Sequence, residues 1–114
     1  MSNSLFEFTV KVMRAAGCDL PEGMVGAYIP TYVGAPDFQE AIRRGVKAIS
    51  GMHYTFKEIR GEVREIPLDS WDDYVSKVWP DLVSHFPSAV ELQSLVNSGA
   101  VFFGPIAGFG RNET

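Results

Sequence analysis

Apolar and polar positions alternate from residue 5 to residue 13, with Phe6, Phe8, Val10 and Val12 on one side and Glu7, Thr9 and Lys11 on the other. A period of two predicts a half-buried strand. A helix competes for the same residues. Ser4-x-x-Glu7 has the form of a capping box, Gly17 can end the segment, and Glu7, Lys11 and Arg14 would share a polar face. The β-branched and aromatic content favours the strand. Residues 14–24 contain Gly17, Pro21 and Gly23 and read as a loop. A second strand is expected over about 25–33. Pro30 has no N–H to give a ladder, so this strand lies at an edge, or Pro30 sits on its unpaired side or in a bulge.

The pattern then changes period. Asp37 can cap a helix with Glu40 reaching back, and Phe38, Ala41, Ile42, Gly45, Val46 and Ile49 recur at helical spacing. Arg43, Arg44 and Lys47 stay outside, and Gly51 suits a left-handed residue after the last turn, giving a helix over 38–50. Residues 53–66 read as extended. Arg60-Gly61 is either a tight hairpin turn or a bulge in one long strand, and Pro67 ends the segment. Asp69 can cap a further helix with Trp71, Tyr74, Val75, Val78 and Leu82 on one face, broken after Trp79 by Pro80. Ser88-x-x-Glu91 repeats the capping-box signature before Val90, Leu92, Leu95 and Val96, and Gly99 can end that helix. Val101-Phe102-Phe103 reads as a strand and 104–109 as its irregular continuation.

The order β β α β(β) α α β predicts an α+β fold. The expected architecture is a two-layer sandwich of a mainly antiparallel sheet with helices on one face, with a ferredoxin-like arrangement as the nearest form. The 114 residues suit a single domain over 1–110, with a frayed polar tail at 111–114. Eleven glycines and seven prolines argue against an all-helical bundle, and 46% hydrophobic residues argue against disorder.

Net charge is −4 at pH 7, which disfavours nucleic acid as a partner, since such binders need a cationic patch to displace counterions. The three cations at Arg43, Arg44 and Lys47 read as a solvated helix face. Cys18 is the only cysteine, so no disulfide forms within the chain. There is no basic N-terminal region and no apolar run approaching the ~18–20 residues that cross a bilayer, and a cytoplasmic, non-membrane protein is expected.

Candidate chemistry is sparse. His53 and His85 are the only histidines, and no second histidine stands three or four positions from either, so no metal site is assigned. Asp69, Asp72 and Asp73 are what the dipole of a helix N-terminus selects, and they lack the glycine and distal glutamate of a calcium loop. Gly104, Gly108 and Gly110 precede only four further residues, so no phosphate-cradling helix is expected after them. A nucleophile would require Cys18 or a serine to meet a histidine, and no Gly-x-Ser-x-Gly elbow is present. No catalytic residue and no cofactor is assigned.

The expected function is therefore a small non-enzymatic interaction or accessory protein, an immunity or inhibitor protein being one example. Two alternatives stay open. One is a small-ligand protein or enzyme with a pocket between sheet and helices, its polar lining drawn from Tyr28, Tyr32, His53, Tyr54 and Asp69. The other is a self-assembling structural module. Residues 101–109 carry no charge, so their apolar side chains cannot all share one face of a half-exposed strand. Self-association as a dimer through Phe102, Phe103, Ile106 and Phe109 is the expected consequence, unless the strand is buried on both faces within its own chain.

Overall fold

At the N-terminus the alternation prevails over the capping-box signal, and Ser4–Arg14 form a strand, β1. The computed structural model describes residues 3–110, so the expected tail at 111–114 lies outside the described residues. β1 is followed by β2 (Gly26–Ala35), α1 (Phe38–Ser50), β3 (Tyr54–Ile66), α2 (Trp71–Val78), α3 (Ala89–Asn97), β4 (Val101–Phe103) and β5 (Ala107–Phe109). Every strand pairing is antiparallel. The order across the sheet is β3-β1-β2-β4, with β5 also beside β2. The fold is thus α+β, an antiparallel five-stranded sheet with three helices.

This order differs from the ferredoxin-like arrangement expected. What is shared is a split crossover: β2 and β3 are both antiparallel to β1 and hence parallel to each other, and α1 carries the chain from one to the other with β1 between them. Pro30 does not place β2 at an edge. β4 pairs with Thr31–Val33 and β5 with Gly26–Tyr28, which leaves a gap beside Pro30. The Pro30 carbonyl accepts from the Gly104 N–H at 2.9 Å, so its ring nitrogen points to the same side and no ladder bond is lost. At Arg60-Gly61 the alternative that holds is the bulge. β3 is one long strand whose register against β1 shifts between Glu7 and Thr9, with Gly61 at φ 79°.

Helices lie on both faces, which corrects the expected two-layer form. Phe6, Phe8, Val10 and Val12 point with Ala27, Ile29 and Val33 toward Ala41 and Ile49 of α1. Leu5 and Tyr32 have the opposite parity and pack with Ile66 against Trp71 and Val75 of α2 and Leu92 and Val96 of α3. The period-2 reading caught the first face and missed Leu5, which interrupts it at the strand's start. The local capping signals fare better. Asp37 Oδ1 accepts from the Glu40 N–H at 2.8 Å, and Ser88 and Glu91 form the reciprocal box at the start of α3. Two expectations need correcting. Gly51 is right-handed at φ −72°, and His53 takes the left-handed turn at φ 65° instead. Asp69 caps nothing: it lies in a 3₁₀ turn, Leu68–Ser70, that precedes α2.

α3 approaches β2 closely because Gly34 has no side chain. A Cβ there would stand 2.6 Å from the Val96 carbonyl oxygen and 2.8 Å from its Cα, and backbone cannot rotate away. The Gly34 carbonyl also accepts from Arg44 Nη1 at 2.7 Å, which ties α1 to the same point. Gly34→Ala is expected to lift α3 from the sheet and to lower stability by ~1–3 kcal/mol, the usual range for overpacking. A urea-unfolding midpoint that stays at the wild-type value would show that the helix can shift at no cost.

Candidate functional site

The second face of the sheet has a covered half and an uncovered half, and the boundary between them is built from Tyr32. Its ring stacks on Phe102 at 5.1 Å and meets Trp71, Tyr74 and Phe86 edge-on at 5.8, 6.1 and 5.9 Å. These offset and T-shaped geometries suit the quadrupoles of aromatic rings. The phenol oxygen is buried but not orphaned. It pairs with the Tyr74 hydroxyl at 2.8 Å and accepts from the Trp79 indole N–H at 2.9 Å. Trp71 donates its own N–H to the Pro87 carbonyl at 2.8 Å, which fixes α2 against the start of α3. Burial pushes both tyrosines above the ordinary phenol range, Tyr32 far above it, so both hydroxyls stay protonated and serve as hydrogen-bonding groups.

Glu7 lies at the edge of this cluster, half-buried on β1 opposite Arg64 of β3. Burial raises its carboxyl above the ordinary value of 4.5, and the Arg64 guanidinium offsets only part of that. Beyond Glu7 no helix among the described residues packs on this second face. Here Arg60 lies over the ring of Tyr28 at 4.8 Å and donates from Nη1 to its hydroxyl at 2.8 Å. The Phe109 ring stands 5.0 Å from that of Tyr28, and Lys11 Nζ stands 5.4 Å from the Phe109 ring centre. Strands β1, β2, β3 and β5 thus each contribute one side chain to a single aromatic and cationic patch.

The five residues expected to line one pocket do not converge. Tyr28 is on the uncovered half-face, Tyr32 is sealed beneath α2, and Tyr54 is buried on the α1 side. His53 is exposed in the turn before β3, beside Gly17, and Asp69 is exposed in its 3₁₀ turn. The apolar segment expected to need an outside partner finds most of its cover within the chain. Phe109 is 1% exposed and Phe102 lies on Tyr32, while Phe103 is half-buried against the α1-side core. Ile106 alone of the four remains largely exposed, at 41%. Arg60, Glu7 and Trp79 were not singled out as site residues from the sequence. For Arg60 no local signal could have done so, because its partner Tyr28 is 32 positions away.

Cys18 and His53 are brought to one end of the sheet. Arg14 Nη1 stands 3.7 Å from the Cys18 sulfur, and the backbone N–H of Leu20 chiefly lowers the thiol's pKa, with help from Ala15 and Arg14. His85 lines a different feature, a cleft of about 360 Å³ with Leu82, Phe86, Phe103, Gly104 and Pro105. Among the described residues no three His, Cys, Asp or Glu side chains are grouped to hold a metal ion, and no helix is long and apolar enough to cross a membrane. No protein-family model, characterised protein or solved structure matches the chain.

Two substitutions probe this region. Tyr32→Phe removes the oxygen that serves both Tyr74 and Trp79, and leaving those groups unpartnered is expected to cost ~1–3 kcal/mol in urea unfolding. Iodide quenching of Trp79 should rise in the same variant while Trp71, 1% exposed, stays protected. Glu7→Gln is expected to act in the opposite direction at neutral pH. Because the folded state holds the Glu7 proton more tightly than the unfolded one, wild-type stability falls as pH rises from 4.5 through the raised value. The glutamine variant escapes that loss, so it should melt higher than wild type at pH 7 and match it at pH 4. Equal melts at both values would show that the carboxylate carries no burial cost.

Proposed function

We propose that the chain is a non-enzymatic protein-binding module of the accessory, immunity or inhibitor type, and that it docks its partner on the uncovered half of the sheet's second face. The observation that carries this reading is the patch of Tyr28, Arg60 and Lys11, seated on the buried ring of Phe109. Its side chains are held by one another and stand on paired strands, so little rotamer entropy remains to be lost on binding. Tyr and Arg are the residue types that most often dominate binding energy when a partner excludes water from them. Arg60 retains donors beyond the one given to Tyr28, and its planar fork suits a carboxylate or a carbonyl pair on the partner. Glu7 supports the same reading, because a carboxylate kept at a burial cost beside an open surface is a common mark of a recognition site.

A small-ligand reading has one observation in its favour. The cleft of about 360 Å³ beside His85 falls within the ~300–1,000 Å³ range typical of ligand sites. Its lining is mostly apolar, with His85 as the one titratable side chain, and it draws on none of the five residues anticipated from the sequence.

The test is affinity capture from the native host, followed by cross-linking. Wild type is expected to retain a stoichiometric protein partner whose cross-links fall on β1 and β3. Arg60→Glu combined with Lys11→Glu should lose that partner while keeping the wild-type thermal melt. Capture that is equal for both forms, or a partner cross-linked only to α1 or α3, would reject the assignment. Retention of a metabolite that His85→Ala abolishes would favour the cleft instead.

A further inference from the structure

β3 is a 13-residue strand at the edge of the sheet, paired on one side only, with β1. Most of it is exposed, and long exposed edges are ordinarily blunted by scattered charge. The charges here are not scattered. Counted outward from Gly61 in both directions, Arg60 meets Glu62, Ile59 meets Val63, Glu58 meets Arg64 and Lys57 meets Glu65. We propose that β3 pairs antiparallel with β3 of a second copy of this chain about a two-fold axis through Gly61, which joins two sheets into one.

Three features of the structure support this register. The first is the match of faces. Partners across an antiparallel ladder must point to the same side of the sheet. Glu58 stands opposite Lys11 and Arg64 opposite Glu7, both on the second face, while Ile59 stands opposite Val10 on the α1 face and Val63 packs against the α1-side core. The second is discrimination. Moving the axis to Arg60 would set Glu58 against Glu62, and moving it to Glu62 would set Arg60 against Arg64. Both neighbouring registers juxtapose like charges, whereas the one centred on Gly61 sets Glu58 against Arg64 at both symmetry-related positions. The third is space at the axis, where Gly61 meets its own symmetry mate. Gly61 is left-handed at φ 79° with nothing within 4 Å of where a Cβ would stand, so the two bulges can face one another without a side chain between them.

The α1 side of this edge supplies an independent reason for cover. A groove of about 510 Å³ runs between α1 and β3, lined by Phe6, Phe38, Ile42, Glu62, Val63 and Glu65. Phe38 is 54% exposed and Phe56 is 40% exposed on the same side. A second copy would bring its own Ile59, Val63 and α1 to this strip. The proposal shares Arg60 with the docking face described above, and it assigns self-association to β3 instead of the 101–109 segment.

Light scattering after size exclusion at micromolar concentration is the test. Wild type should give twice the 12.6 kDa chain mass. Glu58→Arg alone places two cations opposite each other at both symmetry-related sites, and Arg64→Glu alone places two carboxylates there. Each is expected to weaken the dimer by ~10-fold or more, since cross-strand charge pairs are worth ~0.2–1 kcal/mol apiece and change sign twice over. The two single variants mixed in equal amounts should recover the dimer mass, because each then meets its complement. A change confined to one chain's own fold could not produce that recovery. A wild-type mass of 12.6 kDa, single variants that remain dimeric with circular-dichroism melts like wild type, or no recovery on mixing would each overturn the proposal.

Discussion

The architecture follows from one asymmetry in the β1–β2 hairpin: one face buries Phe6, Phe8, Val10, Val12, Ala27, Ile29 and Val33 along its length, with Thr31 the polar side chain among them, while the other packs under helices only at the end where Leu5 and Tyr32 stand. Burying apolar surface is the main favourable contribution to folding, at ~25 cal/mol per Å². The first face therefore demands cover from end to end and receives α1. The second demands it at one end only, and the short helices α2 and α3 supply it there. What remains is a half-face whose inner strands offer Thr9, Lys11 and Tyr28, a surface compatible with water. The uncovered half-face and the fold are thus two consequences of the same residue pattern.

Eight- and nine-residue helices would not persist alone, since isolated helices shorter than ~12–15 residues are marginal in water. α2 is held by tertiary groups at each end: Trp71 bonds to Pro87, and Trp79, just beyond the helix, bonds to Tyr32. Pro80 gives the second bond its geometry. By forbidding another helical turn it leaves Trp79 at φ −128°, out of the helix, with its indole N–H turned to the sheet. The phenol of Tyr32 would be costly to bury without partners, and with two of them it becomes the point where β2, α2 and the following turn are fastened together.

Much of this was legible in the sequence and the rest was not, for reasons that differ by element. The helix over 38–50 and the capping box at Ser88 are local features, carried by spacings of three and four residues, and the structure has them where the spacing puts them. The long strand over 54–66 was legible as extended, but whether Gly61 turned it back or only bent it depends on β1, which no local rule contains. The side of the sheet taken by α2 and α3 depended on Leu5, one apolar residue out of step with four that kept step. The candidate site was the least legible part. Tyr28 was named, yet its meaning comes from Arg60 and Phe109, 32 and 81 positions away, and the four other residues grouped with it turn to different faces and ends of the molecule.

The net charge of −4 also conceals the local arrangement. Screening confines the influence of a surface charge to about 8–10 Å at moderate ionic strength, so a partner senses the side chains of one face and not the total. On the uncovered half-face these are Lys11, Arg60 and Arg64 with Glu7 and Glu58, a cationic balance on an acidic protein. Pairing of two β3 strands in a shared ladder keeps each face of the sheet on its own side, so two such half-faces would lie side by side across the axis, and both α1 helices on the reverse. A partner with two matching epitopes would then bind its second site as an intramolecular event, with the effective concentration set by the rigid sheet between them. Edge and face would so act together: the edge sets how many copies of the face a partner meets, and the face sets which partner it is.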